Sequence, residues 1–349
     1  MTRHTLSPIT RRRLLGLGAA GAATALLAAC AGEGSGSPAA AGADGGASTL
    51  NIDFATYNPL SLVIKEKGWL EATLRDQGVT VNWIQSAGSN KANEALRANA
   101  VDVGSTAGSA ALLARANGSP IKAISLYSQP EWAALVVAKD SPITSVADLK
   151  GKQVAATKGT DPYFFLLQAL EAEGLTPEDV TVQNLQHADG WAALQNGSVD
   201  AWSGLDPIMA GAEQAGATLL YRQLDFNTFG FLNATESFLE RSPELAQTVV
   251  NAYEKARAWA GENPEETATI LASVAGLDQA VADKVILERS NLDIDPAPGP
   301  RQREVLEVVG PIFVSTGDVA DQGQVDAALD SLLDDSFVAQ ADPAAIKEA

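Results

Sequence analysis

Three short loops near the middle of the chain hold the residues best suited to chemistry: Lys158-Gly159-Thr160-Asp161, Gln186-His187-Ala188-Asp189 and Trp202-Ser203-Gly204-Leu205-Asp206. Gly159 and Thr160 precede a helical run that starts at Pro162, so backbone N–H groups and a hydroxyl meet at a helix start, where an anion is stabilised. Asp161-Pro162 and Asp206-Pro207 each place a carboxylate before a proline. One reading makes both aspartates helix caps with proline in the first helical position; the other aims them at a ligand. Trp202 is likewise either core or a stacking surface. Tyr57 and Asn58 follow a strand and precede a helix, as a plain turn or as the floor of a cleft. Ser86 and Gly88, in segment 86–90, and Thr106, in segment 105–108, offer hydroxyls and N–H groups at helix starts, which suit an anion or ordinary capping.

Other chemistries lack their residues. His187 is the sole histidine after position 4, so no histidine-based metal cluster forms. No G-x-S-x-G elbow pairs with it: the nearest match, 104–108, has Thr106 at the nucleophile position. No Walker A sequence and no D-x-[DN]-x-[DN]-G calcium loop occurs. Gly16 to Gly21 fits G-x-G-x-x-G but follows no strand. The expected chemistry is reversible binding of a small molecule, with no catalytic residue, metal or cofactor.

Positioning these loops falls to an alternation of strands and helices. Strand runs at 153–156, 180–185 and 199–202 alternate with helical runs at 162–173 and 189–196, which predicts a parallel sheet covered by helices, with ligands beyond the carboxyl ends of the strands. The same alternation appears earlier: strands at 50–55, 79–83, 101–104 and 121–126, helices at 59–67, 90–98 and 107–117. The two sets join at Tyr127-Ser128-Gln129-Pro130, with Gln129 a further candidate for ligand contact. After Asp225 the chain turns to Ala-rich helices at 243–261, 264–275, 278–290, 302–316 and 321–333. Helices without strands cannot build a third α/β lobe, so they pack on the first, and the chain crosses between lobes twice. The expected divisions are 49–126 and 226–349 for lobe I and its added helices, and 127–225 for lobe II.

The N-terminus sets the compartment. Arg11-Arg12-Arg13 precedes an apolar run to Ala29, shorter than the ~20 residues that span a bilayer, and reads as a twin-arginine signal peptide over 1–29. It ends Leu27-Ala28-Ala29-Cys30, which resembles the bacterial lipobox, and Cys30 is the chain's single cysteine. Residues 30–48 are a Gly/Ala/Ser-rich tether. Cleavage removes four arginines and no acid from a chain of net charge −19, leaving −23. So acidic a surface argues against nucleic acid.

With these residues in view, a resemblance emerges. Ala55-Thr-Tyr-Asn-Pro59, Asn117-Gly-Ser-Pro-Ile-Lys122, Ser145-Val-Ala-Asp-Leu-Lys-Gly-Lys152 and Val199-Asp-Ala-Trp202 with Asp206-Pro207 resemble the substrate-binding lipoproteins of ABC importers for sulfonates, taurine, nitrate and thiamine-precursor pyrimidines. The resemblance covers 49–349. It implies a two-lobed periplasmic-binding-protein-like α/β fold with the ligand between lobes. It also implies a lipid-anchored, extracytoplasmic monomer that delivers its ligand to a permease and its ATPase. An enzyme or a ligand sensor on the same fold are the alternatives; a desulfinase of this architecture uses a catalytic cysteine, whereas Cys30 is committed to the anchor. Asp161 and Asp206, with no arginine in the cleft loops, favour a ligand carrying a cationic or polar group beside its anion, or a neutral heteroaromatic.

Overall fold

The computed structural model describes residues 48–349. The leader, Cys30 and nearly all of the tether lie outside the described residues. The first stretch runs β1 (Thr49–Phe54), α1 (Pro59–Lys67), α2 (Trp69–Leu74), β2 (Thr80–Gln85), α3 (Ser89–Arg97), β3 (Val103–Ala107), α4 (Gly108–Ala116) and β4 (Ile121–Ser128). The second runs β5 (Ala133–Val137), β6 (Gln153–Ala156), α5 (Asp161–Ala172), β7 (Thr181–Asn184), α6 (His187–Gln195), β8 (Ala201–Leu205), α7 (Ile208–Gln214) and β9 (Thr218–Tyr221). Then come β10 (Gly230–Thr235), α8 (Glu236–Arg241), α9 (Pro243–Glu262), α10 (Pro264–Ala275), α11 (Gln279–Asp283), α12 (Pro300–Ser315) and α13 (Gln322–Leu332).

The strands form two five-stranded sheets with matching orders, β2-β1-β3-β10-β4 and β7-β6-β8-β5-β9. Neither is purely parallel, as the alternation had suggested: β10 runs antiparallel to β3 and β4, and β5 antiparallel to β8 and β9. Each is the first strand after the chain passes from one sheet to the other, so it enters from the opposite end. The passages are 129–132 and 222–229. The other strands end with their carboxyl edges toward the partner sheet, and that is where the polar loops sit.

Local sequence explains the elements. Leu50 and Ile52 alternate into the core from β1. Gly68 takes the left-handed conformation that closes α1, its N–H bonding to Ile64 and Lys65 carbonyls. The C-terminal helices pack on the first sheet's elements: α9 against α1, α2 and β4, and α12 and α13 against α4. The run 278–290 is not one α-helix. It is α11 continued by a π-helical segment, Lys284–Arg289, which turns Arg289 inward. No helix among the described residues is long and apolar enough to cross a membrane.

Ala201 and Trp202, neighbours on β8, point to opposite faces of the sheet, and both are buried. Helices cover both faces of the second sheet, so Ala201 joins the main core while Trp202 fills a smaller cluster with Val136, Ala155 and Leu194. Gly190 lies against the Trp202 indole so closely that a Cβ there would stand 2.7 Å from Nε1.

Candidate functional site

A crevice too tight to hold a water molecule, and so closed to a ligand until the lobes part, lies where the two sheets face each other. Ser89 of α3, Ala107 before α4 and Thr160, Asp161 and Pro162 at the start of α5 line it, with Tyr57 and Trp132. Helices α3 and α5 begin there with no side chain capping them, α4 and α6 likewise lack one, and the Asp161 carboxylate stands in the first turn of α5. Two positive helix ends, one from each lobe, therefore point at the same space.

Asp161 is not the cap expected from its sequence. It is the first residue of α5, Thr160 holds the cap position, and the Asp161 carboxylate reaches sideways. It accepts from Ser109 Oγ (2.5 Å), Trp132 Nε1 (2.8 Å), Thr228 N (2.8 Å) and Thr228 Oγ1 (2.7 Å). Ser109 belongs to the first lobe, and Trp132 and Thr228 lie one on each crossing segment. Burial raises the Asp161 pKa, and these donors oppose the rise. The carboxylate joins lobe to lobe and both to the two crossing segments.

A second small cavity, of about 10 Å³, adjoins across the Tyr57–Trp132 pair, whose rings meet edge-on at 6.2 Å. Its lining includes Asp206, Arg289, Ser128 and Ser290. Asp206 is not a cap followed by proline at the first helical position either. Instead, α7 starts at Ile208 with Pro207 in the cap position, and Asp206 Oδ1 accepts from Ala210 N at 2.9 Å. Arg289 Nη1 stands 3.3 Å from both Asp206 oxygens, and the guanidinium also bonds Glu213. Burial pushes Asp206 up to about 6, with Arg289 opposing. The cleft loops carry no arginine of their own, but one reaches them from the C-terminal helices.

Behind the first cavity, Asp53 is fully buried on β1 and accepts from Ser105 N (2.9 Å) and Ser105 Oγ (3.0 Å). The Ser86 hydroxyl also bonds it, and burial raises its pKa to about 7. Tyr57 Oη donates to Ser105 O at 2.9 Å. His187, at the start of α6, is 2% exposed, and burial lowers its pKa to about 4.

Of the sequence-predicted residues, Tyr57, Thr160, Asp161 and Asp206 line the two cavities, Ser86 bonds Asp53, Gly88 and His187 lie side by side next to Ser89, and Gly159, beside Thr160, lines a surface groove with Asn90 and Leu113. Four lie elsewhere. Asn58 caps α1 and donates to Tyr253 Oη, Thr106 is held inside the first sheet by Asn233, and Trp202 is core. Gln129 lines a separate groove and accepts from Arg301. Lys158 is exposed over the Tyr163 ring. Sequence reasoning missed Ser109, Trp132, Thr228, Asp53 and Arg289. Only Trp132 carried a signal, an aromatic inside the crossing segment.

Comparison with known proteins places this geometry. The family described as "NMT1/THI5 like" matches residues 59–267. An aliphatic sulfonates-binding protein of Escherichia coli (strain K12) is 32% identical over 219 residues, 62% of this chain and 69% of that protein. The crystal structure of the periplasmic aliphatic sulphonate binding protein from Escherichia coli superposes with a TM-score of 0.69 at 27% identity, covering 80% of this chain and 91% of that one. The alkanesulfonate-binding protein of Xanthomonas axonopodis pv. citri bound to MOPS superposes with a TM-score of 0.74 at 24% identity, over 81% of this chain and 98% of that one.

Proposed function

The chain belongs to the NMT1/THI5-like family, and from that premise we propose that it is the solute-binding component of an ABC importer. It captures a small organic sulfonate between its lobes and hands it to a membrane permease driven by a cytoplasmic ATPase. The observation that carries the sulfonate is the pair of helix starts, α3 and α5, that face one cavity without capping side chains. A sulfonate brings three acceptor oxygens and one spread charge, which suits N–H donors arriving from two sides. Arg289 is already committed to Asp206 and Glu213, so the helix ends are the positive groups left for the anion. The sulfonate-binding names of its relatives support the same ligand class.

Binding without turnover is the activity this reading assigns. Calorimetric titration of the purified protein with ethanesulfonate, taurine, sulfate and nitrate tests it. Saturable binding of the sulfonates, with product analysis returning them unchanged, is expected. Binding restricted to the inorganic anions, or conversion of the sulfonate, contradicts it. The protein works outside the cytoplasm, tethered through a lipid on Cys30, a reading supported by the lipobox-like Leu27-Ala28-Ala29-Cys30 and by the periplasmic relative. Cys30→Ser should release it from the membrane fraction; undiminished membrane association of that variant removes the anchor.

A further inference from the structure

His187 and Asn90 face each other across the lobes, and the hydrogen bonding around His187 fixes what its outer nitrogen can do. Thr157 Oγ1 donates its one proton to the Leu185 carbonyl at 2.7 Å, so toward His187 Nδ1, at 3.2 Å, it can only accept. The imidazole is therefore protonated on Nδ1, and Nε2 is a bare acceptor. Burial keeps the ring neutral near pH 7. Nε2 is buried and has no hydrogen-bond partner in the protein. A Cβ on Gly88 would stand 2.9 Å from Nε2 and also 2.9 Å from Asn90 Oδ1, a second buried acceptor with no partner. Two acceptors, one from each lobe, thus converge beside Gly88. Ser89, the residue between Gly88 and Asn90, lines the cavity onto which α3 and α5 open.

As placed, the two acceptors cannot satisfy each other, and a buried acceptor without a donor is costly; unless the Asn90 amide turns its N–H₂ toward Nε2, the donor comes from outside the protein. We propose that His187 Nε2 and Asn90 Oδ1 form a donor-recognising subsite that takes an N–H or O–H group of the ligand, making the preferred ligand an amino- or hydroxy-substituted sulfonate rather than a simple alkanesulfonate. The acid half of that ligand rests on the sulfonate reading above; the donor half does not. A side chain at Gly88 would crowd both acceptors.

The test is a set of calorimetric affinities for two matched pairs, taurine with ethanesulfonate and β-alanine with propionate. They are measured on the wild-type protein, on His187→Phe, which fills the same space without an acceptor, and on His187→Gln, which restores one. The wild type should prefer the amine-bearing member. His187→Phe should weaken that member by roughly ten-fold or more, the worth of one buried hydrogen bond, and spare its desamino partner, and His187→Gln should recover part of the loss. Equal losses for both members of a pair overturn the subsite: His187 would then hold the lobes together, with a rotated Asn90 amide as its donor. No wild-type preference for the amine overturns it as well. The predicted pattern in the carboxylate pair, with no sulfonate bound, leaves the subsite standing and removes the sulfonate reading. Binding of none of the four overturns both.

Discussion

Asp161 and Asp206 sit in the same dipeptide, Asp-Pro, and their surroundings give them different roles. Asp161 gathers four donors from one lobe and both crossing segments, while Asp206 is held by Arg289 and by the start of α7. Asp161→Ala would leave Trp132 Nε1–H and Thr228 N–H, which can only donate, buried without an acceptor. It should destabilise the protein by about 3 kcal/mol and weaken ligand binding, measured by urea unfolding and calorimetry. Unchanged values would remove the clasp. Asp53 leads to a pH test. Its pKa is raised by burial from 3.8 to about 7, so the folded protein holds a proton that the unfolded chain releases in that window. The stability this gives is complete below 3.8 and is lost as pH rises through 7. His187 runs the other way: its neutral form stabilises above 6.5, and that contribution is lost as pH falls toward 4. Asp53→Asn isolates the first effect, so the melting temperature of the variant relative to wild type should be more favourable at pH 8 than at pH 5. A pH-independent difference contradicts it. None of this was legible in the dipeptides or in the strand 49–54. The deciding partners lie far along the chain, Ser105 at 52 residues from Asp53 and Arg289 at 83 from Asp206.

At the scale of elements, periodicity and turn chemistry carry far and then stop at direction. The run 153–156 is a strand with those limits, and the helix beginning at Pro59 ends before Gly68 as its residues suggest. The directions of β5 and β10 were not readable, because a strand's sequence reports which faces are buried and not which way its neighbours run. Trp202 misled for a related reason. A tryptophan at a strand's carboxyl end suits a ligand, but here helix α6 closes over it through Gly190, and Trp191 packs against it with ring centroids 6.0 Å apart. Trp202→Ala should therefore cost about 3–5 kcal/mol of stability, as other buried aromatic truncations do. The fraction that remains folded should bind ligand with wild-type affinity. An affinity loss exceeding the loss of stability would return Trp202 to the binding surface. The helix starts were legible as anion seats at 86–90 and 159–160, although the sequence could not show that α3 and α5 open onto the same cavity.

For the whole molecule, the account depends on two lobes that can part. Two segments, 129–132 and 222–229, join the sheets; the lobes meet through an apolar seam, where Phe164 of α5 packs on Phe313 of α12 with ring centroids 4.8 Å apart, and through polar contacts, the Asp161 cluster and the Asp206–Arg289–Glu213 network. The polar contacts exchange readily with water when the lobes separate, and a ligand bridging the lobes adds to the closed state the affinity it lacks for the open one. Arg289 extends this network from the C-terminal helices to lobe II, so those helices also take part in closure. Arg289→Ala leaves Asp206 buried and unpaired, and should shift the protein toward the open form and weaken binding by at least ten-fold, seen by calorimetry; undiminished affinity would confine Arg289 to packing. The most direct test of the central claim is small-angle scattering of the purified protein during titration with a sulfonate that binds by calorimetry. The account predicts a radius of gyration that falls as ligand is added and levels off at the concentration where the calorimetric signal saturates. Saturated binding with no change in the radius of gyration would contradict it.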